Sequence, residues 1–126
     1  MIIDTHAHFT PQIMLKALAS KIDRFPNIQL LEEDGKYRLA FMGQAPTRPL
    51  SPKLCDSEMR LEWMDKQSID SQVVGGWLDS FGYELPPKEG EAWSQFLNEH
   101  QITGTEDLNR LHPLATVPLQ DGVRAA

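Results

Sequence analysis

Met1-Ile2-Ile3-Asp4-Thr5-His6-Ala7-His8 opens the chain as an apolar run leading into two histidines one residue apart, and the fold class follows from how this run is read. As a β-strand over Ile2 to His8 its side chains alternate between faces, so His6 and His8 project the same way with Asp4 behind them. Two imidazoles on one face of one strand can grip the same metal ion. A bare His-x-His near an N-terminus is more often a pair of surface histidines, but three features count against that here. The pair lies at the C-terminal end of an apolar strand, where open α/β sheets and (β/α)8 barrels carry ligands and catalytic groups. Thr10-Pro11 then starts a helix at once, as a strand feeding a βα loop does. Met-Ile-Ile-Asp ahead of the pair also argues against a hexahistidine tag.

Working outward, Thr10 as N-cap and Pro11 at the first helical position begin a helix in which Met14, Leu15, Leu18 and Ile22 recur at spacings of three and four. Pro26 lies beyond its end. Ile28 to Leu31, then Asp34-Gly35, then Tyr37, Leu39 and Phe41 alternating with Arg38, Ala40 and Met42 predict a β-hairpin, because Asp-Gly suits the tight turn between twisted strands. The hairpin interrupts the alternation of strands and helices and reads as an insertion standing off the main sheet. Gly43 to Pro52 holds three prolines and Arg48. Proline on both sides stiffens this segment. Arg48 is then either a solvated loop residue or a carboxylate clamp, since guanidinium binds a carboxylate through paired hydrogen bonds.

Asp56 or Ser57 caps a second helix that carries Met59, Leu61, Trp63 and Met64 and ends near Gln67 and Ser68, with Met59 and Trp63 assigned to its core face. Ile69 to Val74 reads as a buried strand closed by Gly75-Gly76. Trp77 to Tyr83 is an aromatic loop that either walls a pocket or packs on the hairpin. Pro86-Pro87 opens a third helix with Trp93, Phe96 and Leu97 as its apolar stripe and Glu89, Glu91 and Glu99 towards water. His100, near its end, is structural or solvent-facing, and His112, before Pro113, is a poor ligand; neither joins the site. A third strand is placed at Leu114 to Leu119, and Asp121 caps the start of a fourth helix. Strands alternating with helices imply parallel strands joined by right-handed crossovers.

Composition sets outer limits. The chain has 126 residues, 40% of them hydrophobic, which suits one domain with a core. A net charge of −6, with Lys and Arg neither in excess nor clustered, argues against nucleic acid and anionic membrane as partners. Cys55 is the only cysteine, so no intrachain disulfide forms. No apolar run nears the ~20 residues needed to span a bilayer, and no signal-like segment precedes the strand. The cytoplasm is the expected location by default.

These residues together resemble the amidohydrolase superfamily, in its branch of metal-dependent decarboxylases of the aminocarboxymuconate-semialdehyde decarboxylase type. The resemblance rests on Ile3-Asp4-Thr5-His6-Ala7-His8-Phe9, Thr47-Arg48-Pro49, Met59-Arg60-Leu61-Glu62-Trp63-Met64-Asp65, Ile69-Asp70-Ser71-Gln72-Val73, Phe81-Gly82-Tyr83, Leu97-Asn98-Glu99 and Ala115-Thr116-Val117-Pro118-Leu119-Gln120-Asp121, which are collinear and run along nearly the whole chain. It implies the N-terminal portion, about three β-strands, of a (β/α)8 barrel, with residues 1–126 forming one partial domain and 27–53 an inserted hairpin and loop. It further implies that His6 and His8 bind a divalent metal, zinc foremost, and that Arg48 meets a carboxylate of a small unsaturated or aromatic acid. The family's remaining ligands, a histidine and an aspartate from later strands, have no counterpart in these residues.

A full barrel takes about 250 residues, so the expectation is a truncated or partial-frame segment, inactive alone. A metal-dependent hydrolase of the same superfamily and a non-enzymatic α/β interaction module with remnant histidines are the competing readings. A homodimer, or a second chain completing the barrel, are the assemblies that would cover the open sheet.

Overall fold

The computed structural model describes all 126 residues. They form β1 (Ile3–His8), α1 (Gln12–Lys21), β2 (Ile28–Glu33), β3 (Lys36–Phe41), α2 (Pro52–Cys55), α3 (Ser57–Lys66), β4 (Ser71–Gly75), α4 (Pro87–Thr103), β5 (Leu111–Pro113) and α5 (Gly122–Ala125), with 3₁₀ turns at Ile22–Arg24 and Leu78–Ser80. β1, β4 and β5 make a parallel sheet in that order, and β2 and β3 make a separate antiparallel pair. The class is therefore α/β with parallel strands, as the alternation of elements requires. No helix is long and apolar enough to cross a membrane.

The hairpin follows from its turn chemistry. Asp34 and Gly35 both have positive φ, at 51° and 70°, and Glu33 pairs with Lys36 across them, the backbone of a two-residue turn that matches strand twist. The hairpin forms its own sheet, yet it does not stand apart from the core. Ile28, Leu39 and Phe41 are buried with Met14, Leu15 and Leu18 of α1 and Trp93, Phe96 and Leu97 of α4 in the larger apolar cluster. The aromatic loop joins this cluster through Trp77. Gly82 is required there, with φ +64° and an added Cβ lying 2.9 Å from both Phe41 and Leu85. Of the two roles open to that loop, packing on the hairpin is the one it has. A smaller cluster of Phe9, Met64, Val74 and Leu111 joins α3 to the parallel sheet.

Several expectations are corrected. Helix α1 starts at Gln12 with Pro11 in the cap position and no side-chain cap, while the buried Thr10 hydroxyl has no partner. The Thr10 main chain is drawn instead to the Leu54 carbonyl at 2.6 Å. Met59 and Trp63 are exposed, because the buried positions of α3 are Arg60 and Met64. Glu89 accepts hydrogen bonds from the backbone N–H and side-chain amide of Asn27, and Glu91 pairs with Arg124, so both are half-buried and of the three glutamates only Glu99 is exposed. His100 is buried and structural: its Nδ1 lies 2.8 Å from the Phe96 carbonyl and its ring packs on that of Phe96. The third strand is Leu111–Pro113 rather than Leu114 to Leu119. Pro113 precedes that run and Pro118 interrupts it, and Arg110 anchors the strand's start by donating to the carbonyls of Asp70 and Ile69.

The other boundaries fall close to expectation. Asp56 caps α3 by accepting from the Met59 N–H, and Asp121 caps α5 through the N–H groups of Val123 and Arg124. At the end of α4, a Cβ on Gly104 would lie 2.2 Å from Pro11 Cβ. Gly104→Ala should therefore lower unfolding stability by about 1–3 kcal/mol, the range for overpacking, measured by urea denaturation.

Candidate metal centre

β1 brings its histidines to the C-terminal end of the parallel sheet. The His6 and His8 rings meet edge to face with centroids 5.3 Å apart. His8 Nδ1 lies 2.8 Å from the Gly76 carbonyl, just past the end of β4. A carbonyl can only accept, so Nδ1 carries the proton; in the neutral imidazole this leaves the lone pair on Nε2, the tautomer a metal-binding imidazole needs. The donor chemistry of the pair thus suits a divalent metal such as zinc. No third His, Cys, Asp or Glu gathers with them into a ligand set.

The strand is not regular. Asp4 pairs with Gln72 and Ala7 with Val74, so three steps along β1 match two along β4 and a bulge lies between. Asp4 shares a face with its register partner, the buried Gln72, and the extra residue breaks the simple alternation expected between Asp4 and the two histidines. There Asp4 accepts from Gln72 Nε2 at 2.8 Å and from the His6 N–H at 3.1 Å. Along this free edge of the sheet runs an open groove of about 470 Å³, lined by His6, His8, Asp4, Arg60, Met59 and Trp63 among others.

Arg48 is not brought to that groove. Its guanidinium is held by Asp79, in the turn after β4, with Nε and Nη2 donating to the two carboxylate oxygens at 3.1 and 3.2 Å. This hydrogen bond, with the charge of Asp79, raises its pKa above the ordinary value. His112 lies in β5 and is exposed, and His100 is buried beneath α4's aromatic residues. Sequence reasoning did not single out Arg60, which is 8% exposed and donates to the carbonyls of His8 and Lys53 and to Gln72. An arginine in a helix with mixed charges reads as solvated, and nothing local distinguishes this one.

Parallel strands separated by helices, with a histidine pair at the strand end, are the arrangement of one part of a (β/α)8 barrel. No family model matches the chain. It is 28% identical over 98% of its length to 2-amino-3-carboxymuconate-6-semialdehyde decarboxylase from Caenorhabditis elegans, of which it covers 31%. It also superposes on a crystal structure of Metarhizium anisopliae IDCase in apo form with a TM-score of 0.63 and 18% identity, covering 94% of this chain and 35% of that one. The chain is thus similar, along nearly its whole length, to one part of each of these proteins. It spans about a third of the length of these relatives.

Proposed function

We propose that these residues form the N-terminal segment of a metal-dependent decarboxylase acting on an unsaturated or aromatic carboxylic acid, and that they are inactive alone. The observation that carries the reading is the His6–His8 pair at a parallel strand end, with His8 Nδ1 bound to Gly76 and its Nε2 free. His6 and His8 would supply two of the ligands, and the later strands of the barrel the others. The hairpin and loop of residues 27–53 would be an insertion into that barrel. A bound divalent ion, zinc foremost, would polarise the acid or acidify water.

Arg48 would orient the substrate through its carboxylate. The paired contact with Asp79 supports this role, because a carboxylate already fills the guanidinium fork as a substrate's would. Substrate would then have to displace Asp79. The Arg48 side chain is 80% exposed, so this exchange would cost little. The expected setting is the cytoplasm, with the complete barrel as a homodimer.

The purified 126-residue chain should release no CO2 from a carboxymuconate-type acid at any zinc concentration. Turnover that disappears in His6→Ala would overturn the claim of inactivity. Co-expression with a polypeptide carrying the remaining strands should restore turnover that depends on His6. Decarboxylation, rather than hydrolysis of a lactone or amide, is the product to assay, and hydrolysis alone would transfer the chain to the hydrolase reading. The interaction-module reading draws on the apolar free edge, where Ile2, Ile3, Met59 and Trp63 are each 42–53% exposed. A well-folded, metal-free oligomer on size exclusion would favour it.

A further inference from the structure

We propose that Arg60 is a positioning residue for the His6–His8 pair, a clamp that fixes the main chain at both histidines from the helix side of the sheet. The inference rests on the metal-site reading of that pair. Arg60 Nη2 donates to the carbonyl of His8 at 2.5 Å and to that of Lys53 at 2.9 Å, and Nη1 donates to Gln72 Oε1 at 2.9 Å. Gln72, 1% exposed, donates from its Nε2 to Asp4, and Asp4 accepts the N–H of His6. One buried guanidinium therefore holds residue 8 directly and residue 6 through two intermediaries. The β1–β4 register makes this possible, because Asp4 and Gln72 are paired neighbours on one face of the sheet.

The chemistry favours arginine over lysine at this position. Three acceptors lie in different directions, and a planar fork reaches them together while an ammonium on a flexible stem would lose reach or geometry. The ring of Phe9, the residue after His8, lies 5.2 Å from the guanidinium carbon and holds its plane. Burial lowers the Arg60 pKa and the charge of Asp4 opposes that shift, so the cation is retained in a site that disfavours it. A helix-to-sheet tie with only a structural role has no need to end on the main chain of both histidines.

The test uses the 126-residue chain as Arg60→Met and Arg60→Lys, with Gly35→Ala as a control that strains the hairpin turn, where φ is +70°, away from the pair. On metal-free protein, nitrogen NMR of the imidazoles reads the His8 tautomer and hydrogen exchange reads the His6 amide. Co²⁺ titration, followed by visible absorption, reads metal affinity. Arg60→Met is expected to abolish the dominance of the Nδ1–H tautomer of His8 and to speed His6 amide exchange at least tenfold. Co²⁺ affinity should fall about 10–100-fold, the range for loss of a partner that orients ligands. Arg60→Lys should recover part of each effect, and Gly35→Ala should leave all three unchanged.

Wild-type tautomer, exchange and affinity in both Arg60 variants would overturn the proposal. Should Arg60→Met not fold, Arg60→Lys decides, because a fully wild-type response there is equally fatal. Should the wild type itself take up no Co²⁺, the metal reading fails, and the clamp stands or falls on the two metal-free measurements.

Discussion

Trp93→Ala is expected to lower the unfolding free energy by about 3–5 kcal/mol, the range for emptying a buried aromatic site. Trp93 has 0% exposure, stacks on Phe96 at 5.3 Å and meets Phe25 and Phe41 edge to face. Its Nε1 donates to the Ser80 carbonyl at 2.7 Å, so truncation would also leave a buried acceptor without a partner. The residue ties α4 to the hairpin and to the loop after β4, at the centre of the larger apolar cluster. Domains of this kind have about 5–15 kcal/mol in total, so the variant would sit near the unfolding threshold at room temperature. Trp63→Ala is the informative contrast. That ring is 46% exposed on α3, and its loss should change stability by about 0.5 kcal/mol or less. Urea denaturation of both variants, followed by far-ultraviolet circular dichroism, checks the pair. Equal losses would mean that the core does not lie between α1, the hairpin and α4.

The same two tryptophans mark what the sequence could disclose. Local rules sufficed where one residue type dictates backbone geometry. Asp34-Gly35 set the hairpin register, Asp56 and Asp121 marked helix starts, and the Trp93-Phe96-Leu97 stripe gave the buried face of α4. Local rules failed where a distant partner decides. Met59 and Trp63 have core-like spacing on α3, but the inward position belongs to Arg60, whose acceptors come from β1, β4 and α2. Leu114 to Leu119 looks more strand-like than Leu111–Pro113. The shorter segment pairs with β4 because Arg110 fixes where the chain meets that strand's edge. The candidate site was legible in its two histidines and in their placement at a strand end. The pairing of Asp4 with Gln72 and the Gly76 carbonyl that holds His8 Nδ1 both depend on β4 and its end, 68 residues away along the chain.

His6→Ala and His8→Ala are each expected to remove most of the divalent-metal binding of this chain. Two imidazoles alone hold zinc weakly, because tight sites use three or four protein ligands. Within a two-ligand site neither histidine has a substitute, since no other His, Cys, Asp or Glu is grouped with them. Loss of an outer partner that merely orients a ligand costs about 10–100-fold in affinity, so loss of a ligand itself should cost at least as much. Arg48→Ala should leave metal affinity unchanged, because Arg48 pairs with Asp79 and does not line the groove beside the histidines. In a completed barrel the same substitution should instead raise KM for a carboxylated substrate.

The central claim, that the strand-end histidines are half of a metal site, is tested most directly by Co²⁺ titration of the wild-type chain beside the His6→Ala/His8→Ala double variant. The predicted result is one weak, saturable site per chain, with absorption bands of nitrogen coordination that are absent from the folded double variant. Identical uptake by the two proteins would contradict it.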